Sequence, residues 1–464
     1  MKKVIAIILC IASVALLLAC EKSGKNSDGV TTLKEVSDIA LFENIPAPEN
    51  IKDFRICAEG DYGDDNYVIE LGGVIRKDYN EFLELLKNNG FESIYNNGSE
   101  GIDNIVFNET LRKDEITLTL TYVETQMKLY LSATKYAKNM SPFLTYDAAS
   151  VENNAPDAKT TLTMQQVPEY GNFYIIQLKN GHFIINDGGW KDNDVRKITD
   201  ILLSMVPEGE TPIVDAWFIS HEHEDHMYFI GSASKVYDLD DCVRVEGFYV
   251  SQVNDNVAAI TGANTVGKVT TLASDFKNAK GEPTPVYRPH MGQRYYFNDI
   301  TVDIMYTQEQ MPENQYVDNL NVSSTWLMFH IEGQKFLLAG DTELVNMQYV
   351  MSTYSESYMD VDIMNHHHHS LNIYTDDLTY YAKVETLLYS TWGTYSIYWP
   401  KDVLENNLII QSYGTEILSY IDGGKRFTFP YTVGEYENLE PLYPETTEDL
   451  VARQEQWLKD AGLI

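Results

Sequence analysis

The chain has 464 residues and a formal net charge of −35, with 34 basic against 69 acidic side chains. That length allows two or three domains and a large buried core, and the ordinary hydrophobic fraction of 44 % excludes a disordered or fibrous protein. The acidity disfavours long nucleic acid as a partner, because a polyanion is repelled unless a basic patch or metal intervenes.

In chain order, Lys2 and Lys3 form a basic start, and Val4 to Ala19 is an apolar run without a charge. It is short for a membrane span and polar sequence follows at once. The run closes with Leu17-Leu18-Ala19-Cys20, which resembles the lipobox of bacterial lipoproteins. The resemblance implies cleavage before Cys20, a lipid on that cysteine, and a place on the extracytoplasmic face of a bacterial membrane. Residues 1–20 are then a signal peptide and 21–45 a tether. Two cysteines remain in the rest of the chain, Cys57 and Cys242. They are expected as isolated buried thiols rather than as a disulfide.

Residues 46–140 read as a small α+β accessory domain. Tyr67 to Leu71 is strand-like. Asp78 reads as a helix N-cap with Glu81 in the capping-box position, and Tyr79, Phe82, Leu83 and Leu86 follow at helical spacing up to Gly90. Ile116, Leu118, Leu120 and Tyr122 alternate with polar residues, as do Met127, Leu129 and Leu131, which predicts a hairpin with one buried face. Residues 141–160 read as a linker.

From residue 161 to 440 the pattern is that of a second, larger α/β domain. Strands are expected at 173–178 and 182–186, leading into Asp187-Gly188-Gly189, then a helix at 195–205 and an apolar strand at 212–220. Further strands are expected at 295–297, 302–305, 325–331 and 335–339, and residues 446–462 in the final segment 441–464 read as a capped helix carrying Trp457.

Seven of the ten histidines fall in two groups, His221, His223 and His226, and the run His366 to His369. His182 and His330 lie within strand patterns and are expected to be structural. The first group follows the apolar strand directly. An extended continuation places His221, His223 and Asp225 on one side, with His226 at a turn beside them. Two imidazoles at i, i+2 can hold one divalent ion, and the carboxylate with the next histidine a second.

This segment, His221-Glu222-His223-Glu224-Asp225-His226, resembles the His-x-His-x-Asp-His signature of the metallo-β-lactamase superfamily. Asp187-Gly188-Gly189 resembles that family's early Asp-Gly turn, and Phe336 to Thr342 its later strand ending in Gly-Asp, whose aspartate, here Asp341, bridges two metals. His368-His369-Ser370 resembles the His-His-Gly of the secreted branch akin to the hydrolase domain of the competence DNA-uptake channel, as does Asn321-Val322-Ser323-Ser324. The resemblance spans about residues 162 to 400. It implies an αββα sandwich preceded by the small α+β domain, and one or two divalent ions, zinc or manganese. The implied ligands are His221, His223, Asp225, His226, Asp341 and His368, with His366 or His367 as alternatives to His368. Asp225 would also orient a metal-activated hydroxide, and His369 would contact substrate or developing charge.

Two departures stand out. Asn321 occupies the region where other superfamily members carry a further histidine, so the first metal position keeps only His221 and His223, with His290 as a candidate substitute. Ser370 stands in place of glycine. The expected activity is hydrolysis of a phosphodiester or ester, on a small-molecule or cell-envelope substrate, and not of β-lactams. Trp392 to Trp399 would either rim the pocket or pack as a hairpin. The alternatives are a zinc-capturing lipoprotein, to which a histidine run is suited, and a non-catalytic binding scaffold.

Overall fold

The computed structural model describes residues 40–42, 45–46, 55–61, 66–135, 140–145, 158–167, 171–189, 192–236, 242–253, 267–310, 320–370, 375–390, 402–421, 423–443, and the single positions 452, 456 and 459. The expected signal peptide and lipidated Cys20, the Trp392 to Trp399 segment and most of the C-terminal helix lie outside the described residues. No described helix is long and apolar enough to cross a membrane.

The first unit contains β1 (Arg55–Asp61), β2 (Asn66–Gly72), helix α1 (Arg76–Asn88), β3 (Glu92–Asn96), β4 (Val106–Lys113), β5 (Ile116–Val123) and β6 (Lys128–Lys135). They form an antiparallel sheet in the order β1-β2-β6-β5-β4-β3. α1 buries Tyr79, Phe82, Leu83 and Leu86, the residues at helical spacing, against Leu118, Leu120, Tyr122 and Leu129. Its start differs from the sequence expectation. Ile75 is the N-cap and Asp78 sits in the first turn, where its carboxylate accepts the Ile75 N–H at 3.3 Å. An acidic side chain is favoured there because it faces the unpaired N–H groups of the helix start.

The expected one-faced hairpin is covered on both sides. Asn108 Nδ2 and Thr121 Oγ1 both donate to the Met291 carbonyl at 3.0 Å, and Tyr95 Oη accepts the Arg294 N–H at 2.7 Å. Val68, Val106, Val123 and Tyr130 share a core with Met291, Met305, Tyr306 and Met347 of the larger unit. Of the expected linker, residues 141–160, the start packs on the larger unit. Ser141 Oγ hydrogen-bonds Tyr249 Oη at 2.6 Å, and Phe143 packs on Phe297 with ring centres 4.6 Å apart. Cys242 is buried.

The larger unit continues with β7 (Thr161–Met164), β8 (Tyr174–Gln177), β9 (Phe183–Asn186), α2 (Asp192–Ser204), β10 (Ile213–Ile219), α3 (Glu224–Val236), β11 (Arg244–Val245), β12 (Phe248–Val250), α4 (Lys268–Leu272) and β13 (Val286–Tyr287). Next come β14 (Arg294–Phe297), β15 (Ile300–Tyr306), β16 (Trp326–Ile331), β17 (Gln334–Leu338), α5 (Leu344–Thr353), α6 (Glu356–Met359), β18 (Ile363–Asn365), α7 (Thr375–Tyr381), β19 (Thr386–Tyr389), α8 (Asp402–Ser412) and β20 (Glu416–Ser419). The last strands are β21 (Lys425–Thr428) and β22 (Glu437–Asn438).

One sheet runs β13-β12-β10-β9-β8-β7-β21-β22, with β11 also on β10; the other runs β14-β15-β16-β17-β18-β19-β20. Both are mixed, and their inner faces meet. Phe218 of β10 sits edge-on to Phe297 and Phe329 of the facing sheet, at ring-centre distances of 6.2 and 6.5 Å, and Tyr174 packs on Phe336 at 5.9 Å. Outside the first sheet lie α2 and α3, through Val195, Ile198, Met227 and Phe229. Outside the second lie α5 and α7, through Met347, Val350 and Leu378 against Leu337, Met364 and Leu387. The layers are helix, sheet, sheet, helix: an αββα sandwich.

Candidate metal centre

β9 and β10 are parallel, so the residues that follow them emerge side by side. Asp187, after β9, adopts a left-handed backbone (φ 61°) and turns its carboxylate to the end of β10. It accepts the Ser220 N–H at 2.8 Å and the Ser220 hydroxyl at 3.0 Å, and pairs with His226 Nδ1 at 2.8 Å. Held by Nδ1, the His226 ring offers Nε2 to the site. At Gly188 an added Cβ would lie 2.9 Å from the Phe229 Cβ, so glycine lets α3 approach this turn.

The motif itself is not extended as expected. β10 ends at Ile219, the chain bends through His221 and Glu222, and Glu224, Asp225 and His226 form the first turn of α3. Two acidic residues there suit the positive end of the helix. The bend still brings His221 Nε2 to 2.8 Å from His223 Nδ1.

Opposite, β17 leads into Gly340-Asp341. Gly340 has φ 55°, and an added Cβ would lie 2.9 Å from Ser220 Cβ and Ser324 Oγ. Only glycine fits both the conformation and the gap. Ser324 Oγ accepts the Asp341 N–H at 3.0 Å, so residue 341 is anchored at its backbone.

The histidine run contributes one ring to this centre. His368 and His369 are consecutive left-handed residues (φ 49° and 50°), and that kink separates their side chains. His369 Nε2 points inward, 3.1 Å from both Asp225 Oδ2 and Asp341 Oδ2 and 3.3 Å from His226 Nε2. His226 Nε2 is 3.2 Å from Asp341 Oδ2. One ligand atom each from Asp225, His226, Asp341 and His369 therefore falls within a mutual 4.8 Å. His368, assigned from sequence to the metal, faces outward instead. Its Nε2 meets Asn321 Nδ2 at 3.1 Å and its Nδ1 meets Glu343 Oε1 at 3.4 Å. Among the described residues it is thus His369, and not His368, whose ring nitrogen joins the group.

The remaining candidates are elsewhere. His366 packs on Tyr389 and His367 beside Trp326, both buried. Burial pushes their pKa values down to about 4 and about 3. His290 pairs with Glu309 at 2.9 Å and does not join the group. His182 pairs with Asp215 and His330 with Asp303, at 2.8 and 3.0 Å, as structural histidines would. His221 Nε2 is 4.0 Å from Asp341 Oδ2, so the His221–His223 pair adjoins the cluster without joining it.

The electrostatics fit a cation. Burial opposes charge on every member of the cluster. For His226 the three carboxylates of Asp341, Asp187 and Asp225 outweigh it and hold the pKa well above the usual range. His369 is pushed up to about 9 by Asp341 and Asp225. The two histidines in turn hold Asp225 and Asp341 well below the usual carboxylate range. Two carboxylate oxygens and two imidazole nitrogens form a donor set that zinc and manganese both accept.

Neither the family models nor the curated proteins contain a match to this chain. Among solved structures it is similar to the metallo-β-lactamase fold protein YhfI from Bacillus subtilis (12 % identity, 56 % of this chain and 95 % of that one, TM-score 0.34). It is similar, too, to Igni18, a metallo hydrolase from Ignicoccus hospitalis (14 %, 59 % and 100 %, TM-score 0.34). A third is Tm1679, a metal-dependent hydrolase of the β-lactamase superfamily (9 %, 56 % and 95 %, TM-score 0.30). At such values the geometry above, rather than the likeness, carries the argument about the site.

Proposed function

We propose that the chain is a metal-dependent hydrolase of a phosphodiester or ester, held at the outer face of a bacterial membrane by a lipid on Cys20. The observation that carries the reading is the convergence of Asp225, His226, Asp341 and His369 on one point at the meeting edge of two sheets. When bound, a zinc or manganese ion at that point supplies Lewis acidity toward water and toward the ester or phosphoryl oxygen.

The chain's own residues do the rest. Asp187 fixes the His226 ring through Nδ1, and the Ser324 hydroxyl fixes the backbone of Asp341. Asp225, in the first turn of α3, is 23 % exposed at its side chain, so of the four it is the one that can reach an attacking water and orient it. His221 and His223 offer a second pair of nitrogens beside Asp341, open to a second ion or to a developing negative charge. The net charge of −35 supports a small or envelope substrate over long nucleic acid.

The test is elemental analysis of the purified chain together with turnover of a panel of phosphodiesters and esters. Bound zinc or manganese with turnover that Asp225→Ala abolishes is the expected result. Metal bound reversibly without turnover of any panel member would replace the hydrolase with the zinc-capturing reading. The anchor is tested separately: Cys20→Ala should release the protein from membranes, and retention would remove the lipid from the proposal.

A further inference from the structure

Beside the metal cluster lies a second group of polar side chains that the reaction above does not use. Three chain segments bring it to the same end of the sandwich. β12 is parallel to β10, so Ser251 and Gln252 emerge where His221 does, and β13 is parallel to β12, which brings Arg288 and His290 there. β15 is antiparallel to β16, and the Thr325 N–H donates to the Ser220 carbonyl at 2.8 Å. The turn Gln308–Gln310 after β15 is thereby carried to that end as well.

These segments are tied to one another. Arg288 Nη2 donates to Gln252 Oε1 at 3.0 Å, Gln308 Nε2 donates to the Gln252 carbonyl, and His290 Nδ1 meets Glu309 Oε2 at 2.9 Å. Glu222, between two motif histidines, accepts the Gly267 N–H at 2.8 Å through Oε1.

Among the described residues, five buried polar atoms of this group have no hydrogen-bond partner: Glu222 Oε2, Ser251 Oγ, Gln308 Oε1, Glu309 Oε1 and Gln310 Nε2. Ser251, Gln308, Glu309 and Gln310 are 2 %, 0 %, 4 % and 0 % exposed. An unpaired buried polar group forfeits its hydration with nothing in return, so several together point to a missing ligand. The amide orientations are fixed. Gln310 Oε1 already accepts from the Thr307 N–H and hydroxyl, at 3.0 and 2.9 Å, which leaves its Nε2 as the open donor. Gln308 Nε2 is engaged, which leaves Oε1 as an open acceptor.

We infer that this group is a subsite for a polyhydroxylated part of the substrate, a sugar or polyol joined to the ester being cleaved. Three open acceptors, one open donor and one hydroxyl that can serve either way complement adjacent O–H groups, each of which donates and accepts. A cationic group is a poorer fit, because His290 already pairs with Glu309 at 2.9 Å and the Arg288 charge already acts on Glu222. This assignment rests on the hydrolase reading and deepens it.

The test uses the metal-loaded full chain and two p-nitrophenyl phosphodiesters whose second ester group is glucose or methyl. The KM for the glucose diester should be about tenfold below that for the methyl diester, the effect of about one net hydrogen bond. In Glu309→Gln, and in the milder Ser251→Ala, the ratio should fall toward one. No preference in the unsubstituted chain, or a preference that survives both substitutions, would mean that the group holds ordered water only and would overturn the inference. If neither diester turns over, the hydrolase reading fails by itself, and titration calorimetry with glucose phosphate against methyl phosphate still decides the subsite. Tighter binding of glucose phosphate, lost in Glu309→Gln, upholds it; equal affinities overturn it.

Discussion

His369 Nε2 lies 3.1 Å from Asp341 Oδ2, while His368, its immediate neighbour, turns away to Asn321 and Glu343. Two successive left-handed residues make that division. His369→Ala should therefore cost the chain its tightly held ion, whereas His368→Ala should keep it. Metal content by elemental mass spectrometry separates the two, and an ion lost in His368→Ala but kept in His369→Ala would reverse the assignment.

Loading the site should release protons. Without an ion, His226 and His369 carry pKa values above the usual range, His369 about 9, so both are charged at pH 7. A metal needs the neutral rings, and binding must expel those protons. Apparent affinity should thus rise with pH below about 9. Calorimetry in two buffers of different ionisation enthalpy reads the proton count directly; a count near zero at pH 7 would contradict the charge state described.

Asp187 touches no candidate substrate atom but fixes the His226 ring and the Ser220 backbone. Asp187→Ala should weaken metal binding by about 10- to 100-fold, the usual effect of removing a partner behind a ligand. Competition with a chromophoric chelator measures it. Unchanged affinity in a folded variant would show that His226 needs no such support.

The histidine motif and the Gly-Asp strand end were legible in the sequence because each is local: an apolar strand, then ligand residues within a few positions. The same holds for the apolar stripe of α1, whose members are buried as their spacing requires. The choice between His368 and His369 was not legible, since it depends on backbone angles that residue identity does not dictate outside glycine. The two-sided burial of β5 was hidden for another reason. Thr117, Thr119 and Thr121 read as a solvent face, yet all three are buried, and Thr121 spends its hydroxyl on the Met291 carbonyl, 170 residues away. Short strands such as β21, four residues whose strand partners are on β7 and β22, carry too little periodicity to be seen.

Asp303, on β15, tests how the second sheet is held. It is fully buried and accepts from Arg294 Nε and Nη2 at 2.5 and 2.8 Å, His330 Nε2 at 3.0 Å and Tyr358 Oη at 2.7 Å. Burial pushes its pKa up, but Arg294 and His330 outweigh that and bring it down to about 2. A carboxylate depressed on folding stabilises above its unfolded pKa of about 3.9, and the contribution is lost as pH falls through the folded value. Asp303→Asn leaves Arg294 without its counter-charge and should cost about 3–5 kcal/mol at pH 7. The gap between the two proteins in denaturant unfolding should then narrow from about pH 4 toward pH 2, because the protonated aspartate no longer differs in charge from asparagine. A gap that stayed constant over that range would mean that Asp303 stabilises through hydrogen bonding and shape alone.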